Sequence, residues 1–400
     1  MTNEDFISLH RTDDICQLAL KKGPEGVDVP WCLQQIEGWQ LARKKLPKWS
    51  EADGVLWFPP RLSMEQCSSE ATALYKHNLA ERLLTEEVRG SIVDLTGGFG
   101  IDFSYMASLF RQPKYVERQE HLCEIARHNL PLLGLERAEV VCGDSTEMDF
   151  SADLIFIDPA RRDVVGHKTV AIEDCTPNVV ELLDSLLART RFLIIKLSPM
   201  LDISQALRVL HHVVEVHVVS VKGECKELLL VLRGAIGKDS KECASGVTYY
   251  CVNLETEDAP LICSHEERVV SDLQVVQDIS ELRGYLFEPN ASVLKAGCQD
   301  VLCNRYHLKK LHPCSNLFVG EERIPGFPGR QFCINGYSDF SKKDLKSFLA
   351  GIQQGNLTVR NFPTSVAELR KKLKLKEGGD RYFFATTIAD GDHVLIRCVK

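Results

Sequence analysis

One glycine-rich stretch and four acids are the residues of this chain best placed to do chemistry. The stretch reads Ser91-Ile-Val-Asp94-Leu-Thr96-Gly97-Gly98-Phe-Gly100. A short β-branched run leads into an acid and then a glycine cluster, and Ile101 to Ala107 can continue as a helix. Strand, glycine turn and helix together let a backbone come close to a ligand and aim amide N–H groups at it. Thr96 could give its hydroxyl to such a ligand or to the neighbouring backbone. Glu117, Asp144 and Asp158 each close a later apolar run, and Asp158 opens Asp158-Pro-Ala-Arg161-Arg162.

The elements that must carry these residues follow from periodicity. Apolar runs at 92–95, 115–117, 138–142, 153–158 and 191–197 alternate with helical patterns at 102–110, 120–133, 178–189 and 204–211. Near-continuous apolar strands alternating with helices predict a parallel sheet covered on both faces. Runs at 213–221 and 227–232, joined by Lys222-Gly-Glu-Cys225-Lys226, predict an antiparallel hairpin at its edge. The expected fold is therefore α/β, with a Rossmann-like seven-stranded sheet. Each acid then sits at the carboxyl end of a strand, where open α/β sheets bind ligands.

Residues 1–90 are expected to be helical, with Ser63 capping a helix that runs on through Tyr75. Within them Glu65-Gln-Cys-Ser-Ser-Glu70 could be an ordinary helix turn or could line a cleft. The parallel-sheet domain is assigned to 91–280, and a small α+β part follows in two pieces, 281–330 and 331–400. The last piece is expected to hold a basic amphipathic helix at 366–374 and strands at 382–387 and 393–399.

Composition narrows the class. Hydrophobic residues make up 44% and charged residues 26%, as in a globular protein. No apolar run approaches the ~18 residues that cross a bilayer, so no membrane partner is expected. The N-terminus lacks a basic and apolar leader pattern, and fifteen scattered cysteines without any Cys-x-x-Cys fit reduced thiols of a cytoplasmic protein. No metal site is expected. The net charge of −8 hides an asymmetry: residues 341–400 hold twelve basic residues and six acids, +6, leaving −14 on the rest. A basic module on an acidic body suits a protein that holds a polyanion at one end. A solvated helix face explains the same charges.

The glycine stretch excludes two nucleotide sites. Gly98-x-Gly100-x-x-Phe103 lacks the third glycine of the dinucleotide fingerprint, and no Gly-Lys-Ser/Thr ends a P-loop. What remains, Asp94-x-x-x-Gly98-x-Gly100, resembles motif I of class I S-adenosylmethionine-dependent methyltransferases, with Thr96 in place of its first glycine and an extra glycine at Gly97. The resemblance implies that Glu117, 23 residues after Asp94, holds the two ribose hydroxyls. It implies Asp144 for the adenine amine and Asp158 for the region facing the methyl group. Asp94, Thr96, Gly97, Gly98, Gly100, Glu117, Asp144 and Asp158 would then bind the cofactor, S-adenosyl-L-methionine. Asp158 and Arg161 would face the acceptor as the catalytic pair. Amine methyltransferases often read Asp/Asn-Pro-Pro-aromatic there; here Arg161 could stack on a base and Arg162 bind a substrate phosphate, or Arg162 could pair with a nearby acid. Cys225 could be a nucleophile or an ordinary hairpin thiol, and Lys196 could face the cleft or solvent.

Over nearly its full length the chain resembles a family of bacterial class I methyltransferases with a C-terminal THUMP-like domain. Glu65–Glu70 with Tyr75-Lys76, the Asp94–Asp102 stretch, Asp158-Pro-Ala-Arg-Arg, Tyr285-Leu-Phe-Glu-Pro-Asn-Ala, and Val359-Arg-Asn-Phe-Pro with the basic run from Glu368 carry the resemblance. It implies a ferredoxin-like 281–330, a THUMP-like 331–400, and RNA as substrate, tRNA or rRNA, docked by basic residues such as Lys371 and Lys374. A small-molecule or protein methyltransferase, and a non-catalytic binding protein, remain as alternatives.

Overall fold

The computed structural model describes residues 1–52, 54–161, 172–236 and 246–400, with the side chain of Arg161 outside that description. The chain divides into two compact units. One holds residues 1–215 and the described residues from 228 to 236; the other holds 216–227 and 246–400. No helix among the described residues is long and apolar enough to cross a membrane.

The first unit begins with helices α1 (Asn3–His10), α2 (Ile15–Ala19), α3 (Val29–Lys45), α4 (Pro47–Ser50), α5 (Arg61–Gln66) and α6 (Glu70–Leu83). The helix expected to run on from Ser63 is instead broken. Cys67 is extended, and Ser69 caps α6 by accepting the Thr72 N–H. Serines favour caps over helix interiors because their hydroxyls compete for backbone donors. The break turns Ser68 inward, which matters below. These helices are not a separate layer: Ala42, Trp49, Phe58, Met64 and Ala73 share one buried cluster with Phe99, Ile101 and Tyr105 of the glycine stretch and the helix after it.

The sheet then follows the expected order. Strands β1 (Ser91–Asp94), β2 (Gln112–Glu117), β3 (Glu139–Cys142) and β4 (Ala152–Ile157) are parallel, with helices α7 (Ile101–Ala107) and α8 (Glu120–Leu132) between them. A two-residue pair, β5 (Ala160–Arg161) with β6 (Cys175–Thr176), leads to α9 (Val179–Leu187), β7 (Thr190–Leu197) and α10 (Ile203–Val209). The spatial order is β3-β2-β1-β4-β7. Leu154 to Ile157 and Leu193 to Ile195 are all buried, as strands covered on both faces must be. The expected hairpin is present as β8 (Val213–Val221) and β9 (Glu224–Arg233), and β9 runs antiparallel to β7 from Leu228 to Arg233. Its turn is only Lys222-Gly223, both at positive φ (50° and 83°), as tight hairpins of the primed type require. Cys225 is therefore in a strand, not in the turn.

The second unit contains the pair β10 (Thr248–Leu254) and β11 (Leu261–Ser264), antiparallel to each other. Its main sheet has the order β13-β14-β12-β15-β18-β17-β16, from β12 (Tyr285–Pro289), β13 (Lys309–Lys310), β14 (Phe318–Gly320), β15 (Gly329–Asp339), β16 (Asn356–Val359), β17 (Arg381–Thr387) and β18 (His393–Val399). Among the described strands of this sheet, β16 and β17 pair in parallel and their neighbours antiparallel. Residues on either side of position 330 thus share one sheet. Its two faces are both buried: Phe384 and Ile396 lie in one cluster, their neighbours Phe383 and Leu395 in another. That explains apolar runs without alternation. Helices α11 (Ala291–Lys295) and α12 (Val301–Tyr306) follow β12, and α13 (Lys342–Phe348) and α14 (Val366–Leu373) pack against the second cluster through Leu345 and Leu369.

Asn129, wholly buried on α8, ties the helical region to the sheet. Its amide donates to the Trp57 carbonyl and accepts the Trp57 N–H, both at 2.8 Å. Asn129→Leu leaves both backbone groups unpartnered and should cost about 2–4 kcal/mol, read as a lower midpoint of urea unfolding; an unchanged midpoint would show that the tie is dispensable.

Candidate active site

The glycine stretch takes its shape from its neighbours. Gly97 donates to the Val116 carbonyl at 2.8 Å, and a Cβ there would lie 2.2 Å from the Tyr115 ring. Gly98 and Gly100 have φ of +55° and +86°, a region that suits glycine. Tyr115 donates its hydroxyl to the Gly98 carbonyl, and Gly98 donates its N–H to Glu117 Oε2 at 2.9 Å. The other Glu117 oxygen accepts the Gln119 N–H at 2.9 Å. Each oxygen keeps a further lone pair for hydroxyl donors.

Thr96 has a definite task. Its N–H donates to Asp94 Oδ1 at 2.9 Å, and its hydroxyl accepts the Asp158 N–H at 2.6 Å. It stitches the end of β1 to the end of β4, so of its two expected roles the backbone one is observed. Asp94 itself is 1% exposed. Burial pushes its carboxyl up to about 8, against the Thr96 N–H and Lys196, while Asp102 and Asp158 push it the same way as burial. Asp144 is exposed, and its Oδ1 accepts the Thr146 hydroxyl and N–H at 2.7 and 2.9 Å, which holds its carboxyl below the usual range.

A charge network fills the floor. Lys196, from β7, donates to Asp158 Oδ2 at 2.7 Å, Asp102 Oδ2 at 3.0 Å and the Ser68 hydroxyl at 3.1 Å. Ser68 donates to Asp102 at 2.8 Å, and Lys76 Nζ lies 3.1 Å from the other Asp102 oxygen. Lys76 has no exposed side-chain surface. Burial raises the Asp102 carboxyl, but Lys196 and Lys76 outweigh it and hold the group low.

Asp94, Thr96, Gly97, Gly98, Gly100, Glu117, Asp144 and Asp158 all line one cavity of about 330 Å³, together with Lys196, Asp102 and Ser68. The choice between cleft and solvent for Lys196 is thus decided for the cleft, and Gln66 to Ser68 line it too. Ser68 lies in the Glu65–Glu70 cluster, for which a cleft wall is one of the two readings, whereas nothing in the chemistry of the sequence marks Asp102 or Lys76. A lysine on the apolar stripe Ala73, Lys76, Leu79 and Ala80 of α6 was the available signal. Arg161 pairs by its backbone with Cys175, next to Ala160 and Thr176, which line the cavity; its side chain and all of Arg162 lie outside the described residues. Lys371 and Lys374 are exposed residues of the second unit, on α14 and its cap. Cys225 belongs to that unit as well; it sits 3.3 Å from the Ser220 hydroxyl, and burial pushes its thiol up, the opposite of an activated nucleophile.

Two outcomes follow from these groups. Lys76→Met strands the buried Asp102 charge and should destabilise the first unit by about 3 kcal/mol, read by chemical denaturation; stability like that of the parent would show Asp102 needs only Lys196. Asp94 binds a proton in the folded state between about pH 4 and 8 and not in the unfolded state. Its contribution is therefore full below pH ~4 and lost as pH rises toward 8, by up to about 1.4 kcal/mol per pH unit. Asp94→Asn should flatten that part of the stability profile, and an unchanged slope would contradict it.

Family models match at the C-terminal end: a ferredoxin-like domain over residues 285–328 and a THUMP domain-like module over 329–400. No curated protein matches the chain in sequence. Among solved structures, a Porphyromonas gingivalis W83 protein described as a candidate methyltransferase is 34% identical, with a TM-score of 0.85 over 100% of this chain and 97% of its own. A Pyrococcus horikoshii protein described as a candidate RNA methyltransferase is 16% identical over 38% of this chain and 72% of its own (TM-score 0.29). A tRNA m1G37 methyltransferase from M. jannaschii is 14% identical over 43% and 52% (TM-score 0.30). Both of these likenesses are too slight to bear on function. The full-length match, together with the strand order and the two C-terminal domains, places this chain in the methyltransferase family to which the Porphyromonas gingivalis protein belongs.

Proposed function

We propose that the chain is an S-adenosyl-L-methionine-dependent methyltransferase that modifies a base of tRNA or rRNA. The observation that carries this reading is the convergence of Asp94, the Gly98–Gly100 turn, Glu117, Asp144 and Asp158 on one cavity. The donor set fits the cofactor. Glu117 offers two oxygens to vicinal hydroxyls. Asp144, with one oxygen occupied by Thr146, offers the other to an exocyclic amine. Asp94, protonated near neutral pH while the site is empty, lies where the cofactor's amino group would favour its ionised form. When bound, the cofactor would supply an activated methyl group on its sulfonium. The protein's part is then to position the acceptor.

Asp158 is the residue for that task. Lys196 takes its Oδ2, and Oδ1 carries no hydrogen bond among the described residues. A carboxylate held in this way can accept an N–H of an acceptor amine and fix its lone pair without moving. In this reading Arg161 and Arg162 meet the acceptor's base or phosphate. The basic end of the chain, including Lys371 and Lys374, docks RNA. The helices of residues 1–90 contribute Ser68 to the cavity, and residues 91–280 form the transfer domain. The exposed lysines of α14 and the THUMP-like match support the RNA part.

The test uses radiolabelled cofactor and total RNA from a strain lacking the gene, followed by digestion to nucleosides. Label is expected in one modified nucleoside. Asp158→Ala should lower turnover about 100-fold while weakening binding of S-adenosylhomocysteine far less. Label in protein or small molecules instead would sink the RNA reading.

A further inference from the structure

The second unit has a cleft of its own, of about 910 Å³, and the mechanism above makes no use of it. Two stretches far apart in sequence meet there: Glu288 to Asn290, at and just after the end of β12, and Arg360, just after β16. Glu288 is buried, 5% exposed. Its Oε2 accepts two N–H groups of Arg330, from Nε at 2.9 Å and from Nη2. Its Oε1 accepts the Nε–H of Arg360 at 3.1 Å, and the Arg360 Nη2 lies 2.8 Å from the same oxygen as an ion pair. One carboxylate thus holds two guanidiniums, and the trio carries a net charge of +1.

Such an arrangement does more than neutralise a buried acid, for which one arginine suffices. The side chains of Arg330 and Arg360 are 49% and 44% exposed, so both heads are fixed on one side and reach the cleft on the other. Arg323 lines the same cleft, is exposed, and has no ion-pair partner among the described residues. Planar donors held rigid beside a concave wall suit the oxygens of a phosphate. The rest of the lining is of another kind. Asp258 Oδ2 accepts from the amides of Asn253 at 2.9 Å and Asn290 at 3.2 Å, and Glu257 lies beside them. A site for a bare anion has no use for carboxylates. Donors and acceptors interleaved next to arginines match a nucleotide, whose base edge carries both.

We propose that this cleft binds a nucleotide unit, its phosphate on Arg330, Arg360 and Arg323 and its base against the Asn253–Asp258–Asn290 cluster. Glu288 is the positioning residue that aims the two guanidiniums. The ligand chemistry has two sources, a single-stranded segment of RNA or a free nucleoside phosphate, and only the first depends on the RNA reading above.

Fluorescence anisotropy of a labelled single-stranded octaribonucleotide, titrated with the full chain at several salt concentrations, tests the proposal. Arg360→Gln and Arg323→Gln should each weaken binding about tenfold, and each should lower the slope of log K against log salt by about 0.7. Arg323→Gln breaks no ion pair among the described residues, so its loss is not unfolding. Arg360→Lys should recover only part of the affinity, because it keeps the charge but not the fork. If the octamer does not bind but adenosine or guanosine 5′-monophosphate does, and the variants weaken it, the cleft takes a free nucleotide; the inference then stands and the RNA reading falls. Wild-type affinity and salt slope in both Gln variants would overturn the inference and leave methyl transfer untouched. Equal competition by oligoglutamate would overturn it too, since a general anion sink needs no base.

Discussion

One buried carboxylate organises the transfer site. Asp102 sits in the first turn of α7, immediately after the glycine turn, where an acid finds the partial positive charge of the helix start. That alone cannot carry a charge removed from water. Two ammoniums and a hydroxyl complete it: Lys76 from α6, Lys196 from β7 and Ser68 from the break before α6. Three segments that share no local sequence are thereby locked to one point. Because Lys196 also reaches Asp158, the orientation of the acid nearest the acceptor is inherited from the same point. Removing either lysine weakens the compensation of a buried carboxylate, and removing Ser68 takes away one of its donors, so the arrangement acts as a unit.

A second constraint runs across the strand ends. Asp94, Thr96 and the Asp158 backbone form a chain of hydrogen bonds from β1 to β4, while Tyr115 and Glu117 of β2 bind the glycine loop from the other side. The loop is thus held by its own sheet before anything binds, which reduces the ordering that binding would otherwise require. Thr96 replaces a glycine of the common motif with a residue that performs this stitching.

The second unit reuses the device. Glu288 orients Arg330 and Arg360 as Asp102 orients Lys196, with a buried acid serving as the anchor and basic heads as the working surface. The charge balance differs: in the transfer site two ammoniums meet two carboxylates, Asp102 and Asp158, whereas here one carboxylate meets two guanidiniums and net positive charge is left toward the cleft.

The local pattern determined a good deal. Apolar runs covered on both faces, the glycine turn, and Glu117, Asp144 and Asp158 after successive strands were legible, since strand period and strand-end placement are short-range properties. The terminal strands β17 and β18 and the basic helix α14 were legible for the same reason. The helix expected through Ser63 breaks at Cys67 because capping serines and a helix-compatible pattern overlap at Cys67–Ser69, and the pull of Asp102 on Ser68 comes from 34 positions away. Lys76 resembled any helical lysine, and Lys196 stood equally well for solvent or cleft. Which charges are compensated depends on which distant side chains meet once water is excluded, and that pairing spans 26 positions from Lys76 to Asp102 and 94 from Asp102 to Lys196. The same holds for Glu288 and Arg360, 72 positions apart. Sequence determined the strands and the acids at their ends; tertiary structure decided which of those acids are held, and by what, because electrostatic compensation in a low-dielectric interior is a property of space rather than of order along the chain.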